Sequence, residues 1–200
     1  MKNKFLLMTF AILIIAMSAK AQKTGSFTDS RDGKTYKTVK IGTQTWMAEN
    51  LAYKADSGCW AYNNDQSNVK IYGYLYNWET AKKVCPEGWH LPSDAEWSTL
   101  TDSLGGADVA GGKLKSTTGW ESPNEGATNS SGFTALPGGY LRDDGAFGWV
   151  ENYGYWWCST EDATNYLAWN RNIGYDFSSV NRKCYYYKNT GFSVRCIKDK

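Results

Sequence analysis

Two segments far apart in the chain constrain its folding most. Cys85-Pro86-Glu87-Gly88-Trp89-His90-Leu91-Pro92-Ser93-Asp94-Ala95-Glu96-Trp97 sets one cysteine at the entry to a helix, and Gly191-Phe192-Ser193-Val194-Arg195-Cys196 sets another on a strand near the C-terminus. A bond between Cys85 and Cys196 would tie the two ends of one domain together. It would close a loop of about a hundred residues, for which the chain-entropy model gives on the order of 4–5 kcal/mol. This is a signal of architecture, and no catalytic signature accompanies it elsewhere in the chain.

The first residues read as a targeting segment. Lys2 and Lys4 precede an apolar run from Phe5 to Met17, and Ala19-Lys20-Ala21 has the small-x-small form of a cleavage site. Residues 1–21 are therefore expected to be a secretory signal peptide, since the run is too short for a membrane span. No later run is long enough to cross a bilayer. Residues 22–31 are polar and read as a loose lead-in, and 32–200 as one domain with room for a real core. Without Lys2, Lys4 and Lys20 the formal charge falls from +2 to −1, so no electrostatic drive toward nucleic acid is expected. All five cysteines lie in the exported part, where disulfides form.

All 10 Trp and all 14 Tyr lie beyond residue 21, with 20 Gly and only 4 Pro in the chain. That composition favours short strands and many turns over a helical bundle or a parallel sheet. Thr35–Ile41 alternates, Gly42-Thr43 turns, and Gln44–Met47 returns, which predicts a hairpin. Residues 56–68 read as a loop. Asn77 is placed to cap a short helix over 78–84 that Pro86 ends. Ser93-Asp94-Ala95-Glu96 is a capping box, followed by Trp97, Leu100 and Leu104 on one helical face and by Gly105-Gly106 as a stop. From Gly111 onward no helical period is sustained. Short strands are expected near 133–136, 155–159, 166–173, 183–187 and 191–197, the last with Phe192, Val194 and Cys196 on one face and Ser193 and Arg195 on the other.

With these blocks in view the chain resembles a Fibrobacter succinogenes major paralogous domain, a family of exported bacterial domains. The resemblance rests on 32–42, Trp46–Leu51, Tyr72–Trp78, Cys85–Trp97, Gly132–Tyr140, Trp156–Glu161 and Gly191–Cys196. The block Leu91–Trp97 is also similar to one in formylglycine-generating-enzyme-like domains. The fold this resemblance implies is an α+β, C-type-lectin-like domain. We expect two helices, a twisted and mostly antiparallel sheet, long loops and neighbouring termini. The chain departs from the family pattern twice. Cys158 stands where a serine commonly follows the Trp-Trp pair, and Asn68-Val69-Lys70 occupies the region where a partner for Cys59 is often found.

Chemistry is sparse. Cys85–Cys196 is the expected bridge, Cys158 and Cys184 are the candidate second pair, and Cys59 is left over. One histidine and no C-x-x-C argue against zinc, and no metal or cofactor is expected. Pairing Cys85 with His90 as nucleophile and base would use the cysteine the long bridge needs, and a third orienting residue is missing. Asp143-Asp144-Gly145 reads as a turn, with calcium as the lesser alternative. An oxidase of the formylglycine-generating type would need two reactive cysteines on the C-terminal sheet, which Cys158 and Cys184 could mimic. The motif Arg-Gly-Gly-Ser-Trp of those enzymes is missing. What remains is the aromatic and amide-rich stretch 149–188. Its Tyr153, Trp169, Arg171, Asn172, Tyr175 and Tyr186 are expected on one exposed face over Trp156 and Trp157, as in paratope-like surfaces. The expected function is non-enzymatic recognition of a glycan or protein at or outside the bacterial cell surface. The alternatives are an oxidase or hydrolase, or a structural module of a surface assembly.

Overall fold

The computed structural model describes residues 22–200, and the expected signal peptide lies outside them. The lead-in expected at 22–31 is largely a strand. β1 (Lys23–Thr28) runs antiparallel to β2 (Thr35–Ile41), from Lys23 opposite Lys40 to Thr28 opposite Thr35. Its sequence shows no alternation because it is an edge strand. Of its side chains only Phe27 is drawn inward, packing against Trp89 at a centroid distance of 5.2 Å. β2 turns into β3 (Gln44–Met47) as its alternation predicts.

The segment read as a loop carries β4 (Cys59–Trp60) and two 3-10 turns, Tyr62–Asn64 and Gln66–Asn68. α1 (Val69–Tyr72) and β5 (Leu75–Tyr76) follow. α2 (Trp78–Val84) begins where expected, with the Asn77 side chain accepting from the Thr80 amide, and it ends at Cys85. β6 (Trp89–His90) leads to α3 (Asp94–Ser103), whose capping box is complete: Ser93 accepts from the Glu96 amide and Glu96 accepts from the Ser93 amide. Two helices were expected and four are present among the described residues. α4 (Ala107–Leu114) was not expected; it runs through Gly111-Gly112, where the sequence sustains no helical period. Both glycines face other backbone: a Cβ on Gly111 would sit 2.3 Å from the Ser179 carbonyl oxygen, and one on Gly112 would sit 2.3 Å from that of Gly126.

The remaining strands are β7 (Gly138–Leu141), β8 (Phe147–Val150), β9 (Tyr153–Glu161), β10 (Ala168–Gly174), β11 (Asn181–Lys183), β12 (Phe192–Ser193) and β13 (Ile197–Lys198). The strand expected at 133–136 is a buried loop making one bridge, Lys115 to Ala135. Its carbonyls are taken by side chains. Phe133 and Thr134 accept from Arg195, and Ala135 accepts from the Trp120 indole. The expected strand 191–197 divides into β12 and β13. Ser193 and Arg195 are as fully buried as Phe192, Val194 and Cys196, so neither face is open.

The molecule is α+β with two curled sheets, one ordered β1-β2-β3-β13-β6 and the other β11-β10-β9-β12-β5-β4. Pairing is mostly antiparallel, with β12 and β7 each parallel to β9. The first and last strands share one sheet. β9 separates two cores: Tyr155 and Trp157 point into one with Tyr76, Trp78 and Phe192, while Trp156 and Cys158 point into the other with Trp46, Trp97 and Phe133. The expected Cys85–Cys196 disulfide is formed, with Cα atoms 5.9 Å apart. Among the described residues no helix is long and apolar enough to cross a membrane.

Candidate functional site

The expected recognition face maps onto β9, β10 and β11. Residues opposite one another across these strands share a face. Asn172 lies opposite Tyr155 and Asn181, whereas Arg171 lies opposite Trp156 and Arg182. Arg171 and Asn172 therefore point to opposite sides of the sheet, and both are buried. Trp169 shares the Arg171 side and lies under the Arg182 guanidinium at 3.5 Å. Tyr153, Tyr175 and Tyr186 are only partly exposed. Tyr153 stands edge-on to Tyr175 at 6.3 Å, while Tyr186 packs on Tyr155 at 5.9 Å and Phe192 at 5.0 Å. The six expected contact residues thus do not form one open surface. Trp156 and Trp157 are fully buried, but on opposite sides of the sheet.

Arg171 has a structural occupation. Its guanidinium donates to an Asp94 carboxylate oxygen at 2.6 Å and to the Asp94 carbonyl at 3.0 Å, while Arg182 donates to the same carboxylate at 2.9–3.1 Å. Burial alone would raise the Asp94 pKa, but these hydrogen bonds outweigh it and hold the group below the usual carboxylate range. The network clips the first turn of α3 onto β10 and β11.

Cys158 and Cys184 are thiols, which corrects the expected second pair. Cys158 lies on β9 and Cys184 directly follows β11, with β10 between those two strands. Two strand spacings of ~4.8 Å exceed the ~7 Å that a disulfide spans between Cα atoms. Burial pushes the Cys158 thiol up to about 12 and also raises Cys184 and Cys59, the reverse of an activated nucleophile. Cys59, expected to be left without a partner in the chain, is a thiol donating to the Ala55 carbonyl at 3.3 Å.

An open aromatic surface lies at the edge of the same sheet, apart from the exposed Trp149. Tyr166, Tyr185 and Tyr187 are 74%, 56% and 56% exposed. With Thr164 and Leu167 they line a shallow depression of about 580 Å³. Local chemistry holds it in shape. The Asp162 carboxylate accepts from the Thr164 amide and hydroxyl, which sets the turn after β9. Lys188 donates to the Glu161 carboxylate at 2.9 Å and the Asn165 carbonyl at 2.7 Å, and Leu167 bridges Tyr187. This turn and the 185–188 segment are thereby pinned together. Period 2 is the signal that could have found the pair Tyr185 and Tyr187, because they alternate with inward-facing Tyr186. Tyr166 sits on a turn, where no period marks it.

A family model described as the Fibrobacter succinogenes major domain matches residues 39–198. The chain belongs to that family. Neither a curated protein nor a solved structure matches it significantly.

Proposed function

We propose that this is an exported, non-enzymatic recognition domain of C-type-lectin-like architecture, binding a glycan or protein ligand at or outside the bacterial cell surface. Its contact surface is the crest of Tyr166, Tyr185 and Tyr187. The observation that carries the reading is three tyrosines more than half exposed around one depression on a pinned turn. Rigid tyrosines offer large amphipathic contact area at low entropic cost. The long disulfide agrees with an oxidising compartment. The non-enzymatic reading draws support from the cysteines expected of an oxidase, since Cys158 is buried with a raised pKa and Cys184 stands across a strand from it.

The test is a glycan and protein-ligand array run with and without calcium, comparing the protein with a Tyr166→Ser, Tyr185→Ser, Tyr187→Ser variant. We expect a ligand whose affinity falls by more than about tenfold in the variant, the loss typical of truncating a hot-spot aromatic. Binding indifferent to all three changes would remove the crest from the reading. Reproducible turnover of a sulfatase-type peptide or a polysaccharide, abolished by a point substitution, would overturn the non-enzymatic assignment.

A further inference from the structure

We propose a second site, separate from the tyrosine crest in place and chemistry: a cleft of about 440 Å³ that binds a neutral saccharide. The volume lies in the range of ~300–1,000 Å³ usual for small-ligand sites. Its floor is apolar, made by Trp60, Leu141 and Phe147. The β7–β8 turn forms one wall, with Arg142 and Asp143. Asn64, Asn77 and Asn189 bring side-chain amides from three other elements.

Several contacts build this arrangement. Leu141 and Gly191 exchange backbone hydrogen bonds at 2.8 and 2.9 Å, which sets Asn189 beside the turn. Gly191 has no side chain where a Cβ would lie 2.9 Å from Leu141 and 3.5 Å from Trp60, so these two can meet as a floor. Phe147 is braced edge-on against Tyr62 at 5.3 Å. Two of the amides have reasons to be there besides a ligand. Asn64 adopts φ 56°, which asparagine tolerates, and the Asn77 side-chain Oδ1 caps α2. No such duty falls on Asn189 or Asp143. Both are exposed, and neither side chain hydrogen-bonds any described residue.

The charge pattern selects the ligand class. Arg142 pairs with Asp144 at 2.8 Å, which leaves Asp143 as the uncommitted charge facing the cleft. A carboxylate accepts hydroxyl hydrogen bonds and repels phosphate and carboxylate ligands. An aromatic floor rimmed by amide donors and acceptors matches a sugar ring, whose C–H face is apolar and whose edge bears hydroxyls.

The experiment is calorimetric titration of the full-length protein with cellobiose, maltose, xylobiose and N,N′-diacetylchitobiose, with glucose 6-phosphate as the charged probe. Saturable binding of at least one disaccharide is expected, with no binding of glucose 6-phosphate. Asn189→Ala and Asp143→Ala are surface changes that leave folding intact, and each should weaken binding roughly fivefold, the worth of one hydrogen bond. Trp60→Ala should abolish binding, with circular dichroism checking the fold. Three outcomes overturn the proposal: no disaccharide binds, glucose 6-phosphate binds as well as the neutral sugars, or binding ignores Asn189 and Asp143. If the tyrosine-crest variant alone abolishes saccharide binding, the cleft assignment falls and the crest reading stands. If the cleft variants alone do so, the reverse holds.

Discussion

Arg195 carries a charge into the interior with no carboxylate in salt-bridge range among the described residues. Its side chain is fully buried, and burial lowers its pKa from the usual value. Carbonyl oxygens fill the place of a counter-ion. The guanidinium donates to Asn50 Oδ1 at 2.7 and 3.1 Å, to Met47 and Thr134 at 3.3 Å, and to Phe133. Asn50 Oδ1 also accepts from the Trp156 indole at 2.9 Å, and its amide donates to the Tyr72 carbonyl and the Ser193 hydroxyl. Asn50→Ala would strip a buried cation of its best acceptor. We expect a loss of about 3–5 kcal/mol in denaturant unfolding, the cost of breaking a buried charged contact. His90 gives a milder, pH-dependent case. It bridges Asp199 at 2.6 Å and Glu96 at 3.0 Å. Burial pulls its pKa down, but the two carboxylates more than reverse this, so the net shift is upward. A raised folded-state pKa stabilises fully below the unfolded value of about 6.5, and that contribution is lost as pH rises through the shifted value. For Glu96, burial is outweighed by hydrogen bonds from Ser93 and His90. Its lowered pKa gives stability that is present above about 4.5 and fades as pH falls. NMR titration should place the His90 midpoint above 6.5, and His90→Gln should flatten the stability profile in that window.

At the scale of elements, what was legible is what is local. Asn77 and the Ser93–Glu96 box mark the starts of α2 and α3 because a cap needs only three or four residues. The β2–β3 hairpin is likewise written in its own alternation. Elements defined by distant partners were not legible. β1 is held by β2 and Trp89, and the 133–136 loop by the Arg195 side chain. The expected binding face failed for a related reason. Residues 169–172 look polar and aromatic in sequence, yet α3 covers one side of the strand and the Tyr186 cluster the other. α4 runs through Gly111-Gly112, where no helical period is sustained and whose role is close approach of the 178–179 and 126 backbones. Gly111→Ala should raise helix propensity and still destabilise, by about 1–3 kcal/mol from overpacking. A thermal melt of Gly111→Ala that is unchanged or higher would contradict this.

For the molecule as a whole, the Cys85–Cys196 bridge spans 111 residues. Replacing both cysteines by alanine should cost on the order of 4–5 kcal/mol on the chain-entropy scale, read as a shift in denaturant midpoint. Thiol counting tests the other cysteines. The unfolded, unreduced protein should show three free thiols. In the native state Cys59 and Cys184, both partly exposed, should react, and Cys158 should wait for unfolding.

The closing strands also carry a consequence for the order in which the protein can be made. β12 lies between β5 and β9, and β13 lies between β3 and β6. Each therefore fills a gap between elements synthesised long before it. Until residues 192–198 have emerged, both sheets are split down the middle, and Cys85 has no partner in reach. On the export route proposed above, the nascent chain waits, unfinished, for residues 192–198. A premature stop before 192 would thus leave both sheets divided, four pieces with open edges, a substrate for quality-control proteases where a small deletion elsewhere would leave a damaged domain.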